Sequence, residues 1–220
     1  MPCWAGTPPG CSGWPVLNER FRAFVALPLP PEVQAYLQAV QLRLNGRTPG
    51  LVRWVGSEGM HLTLKFLGDT HIQSVEHIET LLLEVASAHP PLTLTLSAMG
   101  CFPSPQSPRV VWAGLTGEGQ RLAALYADAE AGLVKLGFAP ELRPFAPHVT
   151  LGRVRDRVAP ADAAALGRVL QTAPRLTAAP PVRMESVVLF KSVLTPQGAV
   201  YEHLVTAPLR GHAERGTDGG

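Results

Sequence analysis

Between Arg20 and Leu209 the chain switches between short segments whose apolar residues recur at every second position and longer ones where they recur every third or fourth. "RFRAFVALPLP" predicts a strand. In "PPEVQAYLQAVQLRLNG" prolines lead, Val33, Leu37, Val40 and Leu44 form one stripe, and Gly46 supplies a stop, so an amphipathic helix is expected. "LVRWV" and "HLTLKFLG" read as two strands, after which Asp69 or Thr70 caps a helix over Ile72 to Ala88 that ends ahead of Pro90 and Pro91. "LTLTLSAM" and "RVVWAGL" read as strands joined by the proline-rich loop "CFPSPQSP". "QRLAALYADAEAGLVKLG" predicts a second long helix stopped by Gly137, "HVTLGRV" a strand, and "PADAAALGRVLQTA" a further helix. "RMESVVLFKSVL" and "AVYEHLVTAPL" close the pattern as a hairpin around "TPQG".

Strands mixed with about four helices, with adjacent strands joined by short turns, predict an α+β fold built on largely antiparallel sheets. The first eighteen residues hold no Lys or Arg and no apolar run, are rich in Gly and Pro, and lack the features of a signal peptide. They are expected to be a flexible leader (1–18), followed by one domain (19–209) and a flexible tail (210–220).

Hydrophobic residues make up 46% of the chain and charged ones 16%, enough apolar material for a core and too little charge for a disordered polymer. A net charge of +2 permits a nucleic-acid partner without arguing for one. No apolar run approaches the roughly 20 residues that cross a bilayer, so no membrane association is expected. Three cysteines, Cys3, Cys11 and Cys101, are an odd count with no C-x-x-C pair, which predicts free thiols in a reducing cytoplasm and no zinc site.

The chemistry enters through a repeat. "GMHLTLKFLGD" and "PHVTLGRVRD" both carry His-x-Thr-Leu, with an Asp eight residues after each His: His61 to Asp69 and His148 to Asp156. Alternation along a strand puts His61, Thr63 and Lys65 on one face and Leu62, Leu64 and Phe66 on the other; His148 and Thr150 share a face, with Val149 and Leu151 turned to the core. Two half-lobes related by a pseudo-two-fold would bring two imidazoles and two hydroxyls into one volume. Such a pair can hold one neutral ring as base and one protonated ring as acid, as in-line displacement at phosphorus requires, each transfer contributing about 10²–10⁴-fold in rate. Threonine hydroxyls donate to phosphate oxygens without adding a titrating group. This chemistry calls for no metal and no cofactor.

"HLTLKFLGD" and "PHVTLGRV" resemble the paired motifs of the two-histidine phosphoesterase superfamily, and in particular the RNA 2′,3′-cyclic phosphodiesterases, also called LigT-like proteins or 2′-5′ RNA ligases. "RFRAFVALPLP", "RWV", "RVVWAGL" and "SVVLFKSVL" followed by Gly198 and Tyr201 agree, so the resemblance spans about Glu19 to Leu209. It implies a bilobal fold whose pseudo-two-fold-related lobes face a central cleft, with helices outside and one histidine motif from each lobe. It implies hydrolysis of RNA 2′,3′-cyclic phosphate ends, or nucleotides carrying that group, to 2′-phosphomonoesters, with ATP-independent 2′-5′ ligation as the reverse reaction. The sequence itself gives no oligomeric state, and a monomer is the expectation. By the same resemblance His61 is the acid and His148 the base, while Thr63 and Thr150 hold phosphate oxygens; the two positions are near symmetric, so the sequence leaves the acid and base roles open. Relatives often carry an Arg five residues after the second His, and Arg153 stands there; strict alternation turns it away from His148, so it reaches the site only if the strand bulges or the side chain curls round. The alternatives are a phosphodiesterase for another small cyclic or 2′-5′-linked nucleotide, or an RNA-end-binding module without catalysis.

The other candidates read more plainly. His71, His77 and His89 are expected as solvated residues in or beside a helix, His203 as a strand residue, His212 as part of the tail, and Trp54 as core. Phe66, Phe145 and Tyr201 are possible stacking partners for a base.

Overall fold

The computed structural model describes residues 19–211, apart from 174, 177, 196 and 197. Thirteen elements follow one another: β1 (Arg20–Pro28), α1 (Pro31–Arg47), β2 (Val52–Trp54), β3 (His61–His71), α2 (Val75–Ala88), β4 (Leu92–Ser104), β5 (Ser107–Gly117), α3 (Gly119–Lys135), β6 (His148–Val154), α4 (Pro160–Gln171), β7 (Val182–Met184), β8 (Ser186–Thr195) and β9 (Gly198–Pro208). The strand order is β7-β4-β5-β6-β3-β1-β8-β9, with β2 added to β6, and every pairing is antiparallel. The two expected antiparallel sheets are two four-stranded halves of this arrangement. They meet where β3 pairs with β6 through one register pair, Leu62 opposite Val149.

The halves are built alike. Each runs strand, helix, motif strand, helix: β1-α1-β3-α2 and β5-α3-β6-α4. After its second helix the chain crosses over, so that β4 joins β5 of the other half and β8 joins β1. This exchange is the pseudo-two-fold expected from the repeated motif, and it puts both motif strands at the middle.

Alternation explains which side is dry. Val25, Leu27, Leu62, Val111, Ala113, Val149 and Leu151 point to the helices and are fully buried, joined there by Val33, Leu37, Val40 and Leu44 of α1. The opposite face of the sheet carries a second, smaller cluster of Phe24, Ala26, Val188 and Phe190.

Several local expectations need correction. α1 runs through Gly46 and stops at Thr48, whose hydroxyl donates to the Leu44 carbonyl at 2.9 Å. Neither Asp69 nor Thr70 caps a helix: Asp69 accepts from Arg20 at 3.1 Å, the Thr70 hydroxyl donates to the Gly68 carbonyl at 3.3 Å, and α2 begins only at Val75 after a single 3₁₀ turn over Ile72–Ser74. "CFPSPQSP" is not a loop, because β4 and β5 continue through it to a tight turn at Ser104 and Ser107; Pro103 faces Pro108 there, near the turn where missing N–H groups cost the ladder least. His89 is buried, not solvated, and its Nε2–H donates to Asp128 at 2.8 Å. Gly137 does end α3, with φ +94° and its N–H on the Val134 carbonyl.

The expected leader, His212 and the rest of the tail from residue 212 lie outside the described residues. Arg210 and Gly211, assigned to that tail, donate to the Ala86 and His89 carbonyls. No helix among the described residues is long and apolar enough to cross a membrane.

Candidate active site

His61 opens β3 and His148 opens β6, so each motif begins where its strand enters the middle of the sheet. Antiparallel pairing around Leu62 and Val149 sets His61 across from Thr150 and Thr63 across from His148. The four side chains thus occupy neighbouring positions on the face opposite the main core, with the histidines on a diagonal of about 7–8 Å between Cα atoms. The Thr63 and Thr150 hydroxyls have no partner among the described residues.

The two imidazoles sit in different surroundings. His61 stacks on Phe24 at 4.7 Å between ring centroids and on Phe190 at 5.5 Å, with the Tyr201 ring edge-on at 5.3 Å. Its Nδ1 is buried and has no partner among the described residues, so Nε2 is the nitrogen left to face the cleft. Burial holds its pKa down at about 4, from an ordinary 6.5. His148 donates its Nδ1–H to the Ala146 carbonyl at 2.7 Å, which fixes the ring and turns Nε2 toward the cleft. Its ring is edge-on to Phe102 at 5.1 Å and to Trp112 at 6.3 Å.

Beyond each threonine the strand slips by one residue. Thr63 pairs with Ala26 and Lys65 with Val25, which leaves Leu64 over; Thr150 pairs with Trp112 and Gly152 with Val111, which leaves Leu151 over. The bulges reverse the alternation that the sequence predicts. Lys65 turns into the core, where its ammonium donates to both Glu130 oxygens at 2.7 and 2.6 Å and to the Ala139 carbonyl at 2.8 Å. It is therefore absent from the His61 face. Phe66, expected in the core, stands out of the opposite face, 66% exposed. Arg153 comes round to the cleft by the same reversal.

A cavity of about 560 Å³ opens beside the histidines. Its walls stop short of the motif side chains and meet His61 through Phe24 and Tyr201. Arg22, Arg53 and Arg153 line it, and among the described residues no Asp or Glu does. Arg53 lies directly across from Arg153 on β2, and none of the three arginines has an ion-pair partner among the described residues. Unpaired like charges side by side are unfavourable until an anion joins them.

Of the other candidates, Tyr201 and Phe66 line this cavity, whereas Phe145 stacks on Tyr126 at 4.1 Å and does not. Trp54 packs against the core, donates its indole N–H to Asn45 and also lines the cavity. His203 stands edge-on to Phe190. Asp69 is tied to Arg20 and Asp156 is exposed in the turn after β6, so the second half of the repeat brings no carboxylate to the histidines.

The sequence reading passed over four contributors. Phe24 and Phe190 shield His61, yet nothing in their spacing sets them apart from core residues. Arg53 sat inside "RWV" without a sign of its facing Arg153. Gln41 lies on the apolar stripe of α1 and donates to the Val55 carbonyl at 2.8 Å and the Leu151 carbonyl at 2.9 Å, gripping the bulge residue itself. A buried amide on a helix stripe was the one signal available for it.

The model of the LigT like phosphoesterase family matches residues 27–112 and 115–201. A protein of Methanothermobacter thermautotrophicus named RNA 2′,3′-cyclic phosphodiesterase is 30% identical over 83% of this chain and 95% of its own length. One of the same name from Archaeoglobus fulgidus is 32% identical over 83% of this chain and 97% of its own. Among solved structures, one from Thermus thermophilus superposes with a TM-score of 0.73 at 28% identity, covering 87% of this chain and all of the other. E. coli LigT complexed with 3′-AMP gives 0.66 at 26%, covering 87% and 99%.

Proposed function

The chain belongs to the LigT like phosphoesterase family, and from that premise we propose that it is an RNA 2′,3′-cyclic phosphodiesterase using His61, His148, Thr63, Thr150 and Arg153. The observation that carries this reading is the Leu62–Val149 pairing, which sets both His-x-Thr motifs side by side on one face. A water oxygen attacks the cyclic phosphorus as one histidine takes the water's proton. The bond from phosphorus to O3′ breaks, and the other histidine gives that oxygen a proton. The products are a 2′-phosphomonoester and a free 3′-hydroxyl. Thr63 and Thr150 donate to the non-bridging oxygens, and Arg153 offsets the charge gathering there.

The surroundings of the two rings favour His61 as base and His148 as acid, the reverse of what the family resemblance implies. Work at Nε2 leaves the His61 proton on an Nδ1 with no acceptor; the neutral ring bears only that cost, while the imidazolium adds a buried charge. His148 has the Ala146 carbonyl behind it, an acceptor that supports a protonated ring. The protein acts on RNA ends or nucleotides carrying a 2′,3′-cyclic phosphate, as a monomer. The cytoplasm is its expected compartment, with Cys101 a free and buried thiol there.

The test is product analysis on a short RNA ending in a 2′,3′-cyclic phosphate, in excess EDTA. The wild type is expected to yield the 2′-phosphate, and His61→Ala and His148→Ala to lose that activity by about 10²-fold or more. A wild type that binds the RNA and leaves the ring closed would refute the reaction.

A further inference from the structure

Phe66 and Arg153 hold equivalent places, each five residues past its histidine and beyond its bulge. At one the chain carries a guanidinium, at the other an aromatic ring. That asymmetry, with the size of the cavity, points past the cyclic phosphate itself. We infer that the end of the cavity formed by Phe66 and Arg22 is a subsite for the nucleotide preceding the cyclic end, with its base stacked on Phe66 and its phosphodiester held by Arg22. This rests on the reading of the substrate as an RNA end.

Three observations support it. The Phe66 ring is two-thirds exposed in the cavity wall, in contact on one side with Phe24 at 5.9 Å, so its other face is open to a flat partner. Arg22 shares the cavity, lies opposite Asp69 and Ser192 in the register, and has no carboxylate of its own among the described residues, since Asp69 is engaged with Arg20. Gly68 lies between them at φ +69° with open space where a side chain would be, which leaves the floor clear.

Arg22 selects the preceding nucleotide over the terminal one. The Phe66 ring stands within about 11 Å of the His61 ring, through Phe24 at 4.7 Å from one and 5.9 Å from the other, and Arg22 lies two residues farther along β1 than Phe24. An anion held at Arg22 is therefore separate from the phosphate at the histidines, and the phosphate next to a cyclic end is the phosphodiester to the nucleotide before it. Stacking on an aromatic ring tolerates any base, and an arginine on a phosphodiester reads none, so the subsite selects RNA length and not sequence.

The experiment compares three substrates: a mononucleotide 2′,3′-cyclic phosphate, a dinucleotide ending in that group, and the same dinucleotide with its first nucleotide abasic. The wild type should favour the intact dinucleotide over the mononucleotide by about tenfold or more in kcat/KM, with the abasic one between. Phe66→Ala should bring the intact dinucleotide down to the abasic one, Phe66→Tyr should retain the difference, and Arg22→Gln should reduce the gain of the abasic dinucleotide over the mononucleotide. Equal rates for all three in the wild type, or an equal loss on all three in Phe66→Ala, would overturn the subsite. Affinities for the matching 2′-phosphate products, measured in parallel, separate the two readings. If no substrate turns over while the products keep the same order, the reaction falls and the subsite stands; if the products bind equally, the subsite falls.

Discussion

Leu64 and Leu151 are each skipped in the register of their strand with its neighbour, three residues after the motif histidine. That shared slip gives the cleft its character, because it removes Lys65 and Phe66 from the faces simple alternation assigns them and delivers Arg153. The first expectation follows directly. Arg153→Ala should lower kcat/KM by about 10- to 100-fold, the range for losing a charge-assisted hydrogen bond, whereas Lys65→Met should leave KM for the cyclic phosphate unchanged. Steady-state kinetics on one substrate checks both.

Gln41 holds the slip in place through the Leu151 and Val55 carbonyls. Gln41→Leu should lower stability by about 1–3 kcal/mol, the usual cost of buried groups left unpaired, and should lower kcat as Arg153 loses its fixed position. In an Arg153→Ala background the same change should cost little further activity. A double-mutant cycle reads this coupling.

The surroundings of His61 set a pH profile. As the proposed base, with a pKa near 4, it is active when neutral, so kcat/KM should hold level as pH falls to about 5 and drop below about pH 4. A rate that instead rises as pH drops toward 4 would make His61 the acid.

The same depressed pKa is linked to stability. The unfolded chain takes a proton on this ring near pH 6.5 and the folded one only near 4, so stability is intact above 6.5 and declines as pH falls through that window. The decline amounts to about 3 kcal/mol at most. His61→Phe keeps the stacking and removes the titration. Its stability, measured by urea unfolding from pH 7 to 4, should therefore fall less steeply than that of the wild type.

The Lys65–Glu130 pair, with side chains 4% and 17% exposed, supplies a check away from the site. Glu130→Ala strands a buried ammonium and should cost about 3–5 kcal/mol; replacing both partners with apolar residues of similar size should cost much less. Urea unfolding of the single and double variants decides it.

The order of strands and helices, the α1 stripe, the stop at Gly137 and the closing hairpin were legible because each rests on local spacing and chain chemistry. The motif residues were legible because a repeated His-x-Thr-Leu is improbable without a reason. The helix cap misplaced at Asp69 and Thr70, and the prolines read as a loop, failed for one cause: local preference yielded to strand pairing, with β1 holding Asp69 and β4 and β5 running on to Ser104 and Ser107.

By itself, then, the sequence determined the fold class and the placing of each motif histidine on one strand face with its threonine, since period-2 alternation within a short strand needs no knowledge of its neighbours. The tertiary structure alone decided which residues join them. A bulge exists only relative to a partner strand, so the turning of Arg153 into the cleft and of Lys65 into the core had no sequence-local sign. Burial is likewise a property of what lies across space: Phe24 and Phe190 come from strands far apart in the chain, and their closure over His61 is what separates two histidines that the sequence writes alike.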